Sequence, residues 1–532
     1  MKHKIIHIII LLLLPALFAS CVDAGDDKYT EIPDIEVSIS SVPSEMLYGK
    51  VLKLSPTVSY AGDSNPDNFT FQWYKQNGSN LTPISEAQNL ECTMDSLGTW
   101  NIFLRVTNKS TDVFKLTNAI SINVISTYGR GWYVLKETPE GNTDLDFFAV
   151  NKDSTTTQVV ANQLLTQGGS ALQGKPVDLL YVYNFRWKAP GTTNFTSNIQ
   201  SLMVTTNKDL RTISISENKT LSEEKEMFME QNTDYDITGG LFCNKQTLLV
   251  NHGKVQLMLA GMQAFLPVVP GEYNLSPYWT ISNYTAGYQL GFDNASKSFI
   301  YLQSLATKVD NFPDKKQSHS KVNIPSNHMP GTISFLQNTD GNLNTDTLYS
   351  QRAYSIFHED GRTDRCIVLG LDMSQCDPSQ TKYGNAQYNP ITFADTISYA
   401  QYPEIGQTDI FTLHKNYPIL YFAYGNKVGS YGLDNKQYKP AILTYPANET
   451  VTYMYYMAYD WENSIYEGTA YQFSYLVIAT ADTDGNYHIY RYKIAGNDIS
   501  PVEKTLTGKG KVKKAMYIST YFQNPWYLNR YY

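Results

Sequence analysis

Basic charge is scarce in this chain. Its 532 residues include 42 Lys and Arg against 50 Asp and Glu, a formal net charge of −8. No Lys/Arg cluster stands out, which argues against a nucleic-acid partner. Cysteine is scarcer still, at five positions: 21, 92, 243, 366 and 376. The last four are spread out and form neither a disulfide framework nor a metal knuckle. Cys366 and Cys376 are placed to pair, and most of the four read as buried thiols. Beyond the N-terminus no apolar run approaches the ~18 residues that a membrane-spanning helix needs. Long helical periodicities are equally hard to find. Catalytic signatures are missing too: no HExxH pair, no GxSxG turn, no Walker loop and no dinucleotide glycine fingerprint. His252, His319, His328, His358, His414 and His488 include no two at metal-ligand spacing.

The N-terminus carries Lys2 and Lys4, then a largely apolar stretch from Ile5 to Leu14. That stretch is too short for a hydrocarbon core of ~30 Å, and a charged start with small residues at the end suits a secretory signal over 1–20. The signal closes on Leu17-Phe18-Ala19-Ser20-Cys21. This segment resembles the lipobox of bacterial lipoproteins, with Phe18 departing from the usual Leu. The resemblance implies a diacylglycerol thioether on Cys21 as the first mature residue. Acyl chains anchor by roughly 0.8 kcal/mol per buried CH₂. Asp23, Asp26 and Asp27 follow in a polar tether over 21–34. The acidic cluster resembles a surface-export signal, so the expected location is the outer membrane, lipid-anchored and exposed at the cell surface. Losing Lys2 and Lys4 leaves 40 basic against 50 acidic residues, a mature charge of −10.

Aromatics are abundant, with 41 Tyr and 22 Phe, a composition that favours pleated surfaces over helices. Over 35–126 short alternating segments recur: "IEVSIS", "VLKLSPTVSY", "FTFQWYKQ", "GTWNIFLRVTN" and "AISINVIS". Period-two alternation broken by turns predicts an immunoglobulin-like β-sandwich. Trp73 and Trp100 then read as core. Over 127–532 a strand–turn–strand unit recurs seven times, from Gly131, Ser201, Thr247, Tyr288, Tyr354, Ile419 and Phe473. Each turn carries Gly, Asn or Asp, the residues that hairpins require. A spacing of about 58 residues is that of a four-stranded propeller blade with variable loops. The expected fold is therefore all-β, a sandwich followed by a seven-bladed β-propeller. The "GWYVL" segment from Gly131 and the aromatic tail from Tyr521 are the expected closing strands.

The order of parts (lipobox cysteine, acidic tether, sandwich, large β-rich domain) resembles the PKD-like family lipoproteins encoded beside SusC/SusD-type importers. The resemblance implies a surface accessory protein that helps a SusC-like TonB-dependent transporter and its SusD-like lipoprotein capture oligosaccharide or peptide. It carries no catalytic residues onto this chain.

Chemistry-bearing clusters are few. Glu359, Asp360 and Asp364 gather in "FHEDGRTDR", where a charged hairpin tip accounts for them. A glycosidase needs only two facing carboxylates, which in a propeller would come from different blades. Asp340, Asn342, Asn344 and Asp346 alternate as calcium-loop ligands do, although Thr345 and Gln351 stand where that loop needs Gly and Glu. "DTDGN" from Asp482 is a second calcium candidate and also a good turn. The best binding candidates are aromatics outside the hairpins: Trp187, Tyr278, Trp279 and Trp461. Sugar rings and peptides lie flat on such faces. Their loops are expected to surround one propeller face. Three functional classes follow: an importer accessory that binds rather than catalyses, a surface glycoside hydrolase or lyase, and a structural or adhesive surface protein.

Overall fold

A computed structural model describes residues 33–150, 156–230, 234–243, 246–281, 289–303, 306–339, 352–373, 386–414, 417–459, 473–495, 498–501 and 505–519. The chain divides into two compact units at Val124/Ile125.

The first unit is a β-sandwich. Its larger sheet runs Glu45–Leu47, Ile120–Ile125, Gly98–Asn108, Phe69–Asn77, Asn80–Ser85, with Phe114–Leu116 added against Gly98–Asn108. Two short pairs make up the rest, Glu36–Ile39 with Pro56–Ser59 and Val51–Leu54 with Leu90–Thr93. The central strand Gly98–Asn108 buries every second residue from Trp100 to Asn108, as a strand with one covered face must. Trp73 and Trp100 are both core, and each indole N–H donates to a nearby carbonyl, Ala87 and Ser96, at 2.9 Å. Four strands of this unit escaped the sequence pattern: Glu45–Leu47, Asn80–Ser85, Leu90–Thr93 and Phe114–Leu116. They are short and mostly exposed, so no apolar alternation marks them. The "VLKLSPTVSY" run is two strands rather than one, with Pro56 opening the second.

The second unit is a β-propeller. Among the described residues it contains seven antiparallel sheets, each a meander from the axis outward. Blades 2 and 3 are Pro176–Trp187, Thr196–Thr206, Leu210–Ser214, Lys219–Glu223 and Ile237–Cys243, Gln246–Asn251, Lys254–Leu259. Blade 4 is Thr280–Ile281, Gln289–Asp293, Ser298–Leu302 and Asp310–Asn311. Blade 5 is Gly331–Asn338, Arg352–Glu359, Arg365–Asp372 and Ile391–Ser398; blade 6 is Ile410–Leu413, Ile419–Tyr424, Lys427–Gly432 and Tyr438–Thr444. Blade 7 begins Glu449–Tyr459, Phe473–Asp482 and Asn486–Ala495. Blade 1 is built from both ends: Lys511–Ser519 innermost, then Arg130–Glu137, Thr143–Val150 and Thr156–Val160. The seven sequence hairpins are the second and third strands of the seven blades. One closing strand is thus where the sequence puts it. The other is Lys511–Ser519, while the aromatic tail from Tyr521 lies outside the described residues.

Innermost strands touch between blades 1 and 2, 2 and 3, 4 and 5, 5 and 6, 6 and 7, and 7 and 1. Blades 3 and 4 join through a shared core that includes Leu248, Val255, Trp279 and Ile300. Turn chemistry sets the hairpins. His252 and Gly253 both adopt positive φ (49° and 67°), the two-residue turn that matches the twist of flanking strands. One short helix, α1 (Gln163–Gly168), follows blade 1. Its start lacks a side-chain cap from Asn162, and Asp144 supplies one from the neighbouring strand by accepting the Leu164 and Leu165 N–H groups.

Ring closure also carries a buried ion pair. Lys136 Nζ lies 2.6 Å from Asp146, both side chains almost fully enclosed. Asp146 further accepts the Tyr487 hydroxyl of blade 7 at 2.6 Å and the Asn162 N–H at 2.8 Å.

Candidate functional site: the axial cavity

The innermost strands converge on a cavity of about 210 Å³ along the propeller axis. Blades 1, 2, 3, 4, 5 and 7 all contribute to its wall. Apolar surface comes from Leu180, Phe242, Tyr278, Trp279, Leu336 and Tyr455. Polar groups come from Asp178, Tyr181, Gln337, Asn338 and Lys514. Lys514 Nζ donates to Asp178 Oδ1 at 2.7 Å, tying the closing strand of blade 1 to blade 2. The same oxygen accepts the Leu179 N–H at 2.8 Å.

Two lining residues leave a polar atom unsatisfied. Tyr181 is 3% exposed, and its hydroxyl has no hydrogen-bond partner among the described residues. Burial, helped by neighbouring Tyr183, pushes its ionisation well above the usual phenol range, so it remains a neutral donor. Gln337 uses its Oε1 to accept from Thr412 Oγ1 at 3.2 Å and the Leu413 N–H at 2.9 Å, bridging blades 5 and 6. Its Nε2 is buried and has no partner among the described residues. An unmade bond of this kind costs about 1–3 kcal/mol unless something polar fills the space. The cavity has room for several waters, each taking roughly 30 Å³ in the liquid, or for one small polar ligand.

The aromatic candidates do not share one rim. In blade 2, Pro176 pairs with Thr206 beside the 207–209 turn, and Trp187 pairs with Thr196 at the other end. In blade 4, Leu275 bridges Asp293 beside the 294–297 turn, which puts Tyr278 and Trp279 towards the leading end of the inner strand. Trp187 therefore sits at the opposite end of the ring from Tyr278. It is half-buried against the blade 2 core, with Lys219 Nζ 5.2 Å from its ring. Trp279 is 8% exposed, donates its indole N–H to the Ser276 carbonyl at 3.0 Å, and lays its ring over Gly291. One of its faces is thus occupied by blade packing, while Tyr278 beside it is half-buried at the cavity wall. Trp461, Cys21 and the calcium candidates Asp340, Asn342, Asn344 and Asp346 lie outside the described residues.

The remaining clusters read as structure. Asp482 accepts from the Asn486 amide and from the N–H groups of Asn486 and Asp484, which holds its carboxyl down to about 2. That turn satisfies itself. At the other charged tip, Arg365 pairs with Glu359 at 2.7 Å, Arg362 with Asp364 at 3.0 Å, and Lys297 with Asp360. Cys92 and Cys366 are free thiols, and Cys376 lies outside the described residues. Among the described residues no three His, Cys, Asp or Glu side chains gather as metal ligands, and no helix is long and apolar enough to cross a membrane.

The sequence reading missed Asp178, Tyr181, Gln337 and Lys514. A signal for one of them was present: Asp178 stands in "PVDLLYVYNF", a charge among apolar residues, where an unpaired charge is rarely tolerated.

Comparison with known proteins adds a family for the N-terminal part. Residues 21–176 match the PKD-like family. The chain thus carries a PKD-like domain, and the match runs through the sandwich into the first blade. No curated protein matches. Among solved structures, a quinonprotein alcohol dehydrogenase-like protein from Bacteroides thetaiotaomicron is 10% identical over 92% of this chain and 100% of its own, with a TM-score of 0.41. An apocarotenoid oxygenase from Synechocystis is 8% identical over 74% of this chain and 94% of its own, at 0.37. The Pan2 WD40 domain of Neurospora crassa is 9% identical over 57% of this chain and 76% of its own, at 0.33. The seven closed sheets, rather than these distant likenesses, define the propeller.

Proposed function

We propose that this chain is a surface-anchored binding protein whose axial cavity holds a small polar portion of a glycan or peptide. One observation carries the reading: Tyr181 and Gln337, two residues of a cavity wall that also holds aromatics, each keep a buried polar atom without a partner among the described residues. Polar groups and aromatic walls gathered in one pre-formed hollow are the usual makings of a ligand site. Asp178 and Lys514 neutralise each other, which suits an uncharged or zwitterionic ligand over a strongly charged one.

The wider setting rests on the N-terminus. Lipidation at Cys21 and the acidic tether after it would place the protein on the outer membrane at the cell surface. The PKD-like domain would act as a spacer, and a SusC-like transporter with its SusD-like lipoprotein would be the partner. Anchoring concentrates ligand, protein and partner on one surface, so weak recognition suffices.

Calorimetric titration of the full chain with neutral mono- and disaccharides and with alanine di- and tripeptides tests the cavity. Saturable binding to one of these probes that Gln337→Leu weakens at least tenfold is the expected result. Binding that Gln337→Leu leaves unchanged, or none across the panel, overturns the cavity assignment. Affinity isolation of the lipoprotein from native outer membranes tests the setting. Recovery of a TonB-dependent barrel and its lid in comparable amounts supports it, and recovery of the lipoprotein alone removes the importer from the reading.

A further inference from the structure

The inner strand of blade 5 carries a bulge. Ile333 pairs with Phe357 and Phe335 with Ile356, so Ser334 is the extra residue with no partner in the ladder. Bulges of this kind re-aim a side chain, and they recur beside active sites. Here the re-aimed hydroxyl reaches the next strand of the same blade, where Ser334 Oγ lies 2.8 Å from His358 Nε2. Gly331 makes the approach possible. Any side chain there would run into the His358 carbonyl, so only glycine lets the two strands close up at this point.

His358 is half-buried, and that burial holds it below the ordinary imidazole range. The carboxylate of Asp409 opposes the shift. Asp409 stands immediately before the blade 6 inner strand and is exposed. Its charge also bears on the Tyr278 hydroxyl of blade 4. A hydroxyl and an imidazole thus meet at the leading end of the blade 5 inner strand, with the Asp409 charge bearing on the imidazole. Nucleophilic catalysis needs a hydroxyl within hydrogen-bond reach of a base, with a third group acting on that base.

We propose that Ser334 and His358 form a nucleophile–base pair that transfers acyl groups from small carboxylic esters to water. In the Nδ1–H tautomer, His358 Nε2 takes the Ser334 proton as Oγ bonds to the ester carbonyl carbon. Collapse breaks the carbon–alkoxy bond, and the leaving alkoxide receives that proton from His358 as an alcohol. Water then adds to the acyl-serine and gives a proton to His358. The carboxylic acid departs, and the proton returns to Ser334. This activity is separate from ligand capture in the axial cavity and does not depend on it.

A fluorophosphonate probe on the full-length protein tests the pair, with peptide mass spectrometry to locate the adduct. The expected result is one adduct, on Ser334, absent from Ser334→Ala and formed at least about 100-fold more slowly in His358→Asn. No adduct on Ser334, or labelling of His358→Asn at the wild-type rate, overturns the proposal. Mapping on the unmodified chain needs no variant, so a His358→Asn protein that fails to fold leaves the first criterion intact. Loss of sugar or peptide binding would leave both criteria unaffected.

Discussion

Gly98–Asn108 in the sandwich and Thr143–Val150 in blade 1 are both antiparallel strands inside a core, yet they bury different things. The first alternates, with one face covered and the other towards solvent. The second is buried at all eight positions, including Asp144 and Asp146. A blade has a neighbouring blade on each side, so neither face of its middle strands meets water. Charge on such a strand must find a partner inside the protein. Asp144 accepts three backbone N–H groups, from Leu145, Leu164 and Leu165, and Asp146 takes Lys136, Tyr487 and Asn162. The sandwich, by contrast, buries one polar residue among those described, Asn108, which binds the turn that follows it. The sandwich core is almost wholly apolar, whereas the propeller adds specific polar contacts where its chain ends meet.

The sharpest way to break this contrast is at Asp146. Replacing it with Ala leaves Lys136 enclosed without a counter-charge, a loss of about 3–5 kcal/mol. Denaturant unfolding followed by hydrogen exchange should show that loss in the second unit and none in the sandwich. A loss below about 1 kcal/mol would mean that apolar packing closes the ring unaided.

A smaller effect separates the units by pH. Desolvation pushes the Asp209 carboxyl up to about 6, against the lowering influence of the Leu210 N–H. A carboxyl raised in the folded state favours folding fully below its ordinary value and loses that contribution as pH climbs through about 6. Asp209→Asn should therefore gain about 1 kcal/mol or less at pH 7, allowing for solvent screening, and nothing at pH 4. The only shifted carboxyl described in the sandwich, Asp63, moves the other way, held down first by the Asn65 N–H. Equal gains for Asp209→Asn at both pH values would remove ionisation as the cause.

The smallest effect belongs to the sandwich's own Lys–carboxylate pair. Lys53 and Glu91 meet at 2.8 Å, much as Lys136 and Asp146 do, but their side chains are 68% and 63% exposed. Lys53→Ala should change stability by less than about 0.5 kcal/mol in the same unfolding experiment. A loss approaching that of Asp146→Ala would show that contact distance, rather than burial, sets the value of such pairs here.

The same difference explains what could be read in advance. Alternation made the long sandwich strands legible, with Trp73 and Trp100 as core, and hid only the short exposed ones. The blade hairpins were legible from their Gly, Asn and Asp turns, since a tight reversal restricts which residues can stand there. Innermost strands were harder. Ile237–Cys243 is interrupted by Gly239 and Gly240, and Thr280–Ile281 is two residues long, so neither shows an apolar alternation. Of the candidate site, Tyr278 and Trp279 were found because aromatics on irregular segments stand out. Asp178, Tyr181, Gln337 and Lys514 were not, because their significance lies in what faces them across the ring.

Local chemistry therefore determined a good deal: an all-β chain, a sandwich before a hairpin array, and seven repeated turns. These depend on residue type and short spacing, which the linear chain displays. The tertiary structure alone decided that Lys511–Ser519 closes the ring, that Trp187 and Tyr278 lie at opposite ends of it, and that Asp178 meets Lys514 across 336 residues. Each is set by closing a circle of blades, which brings together residues whose separation along the chain carries no trace of their contact.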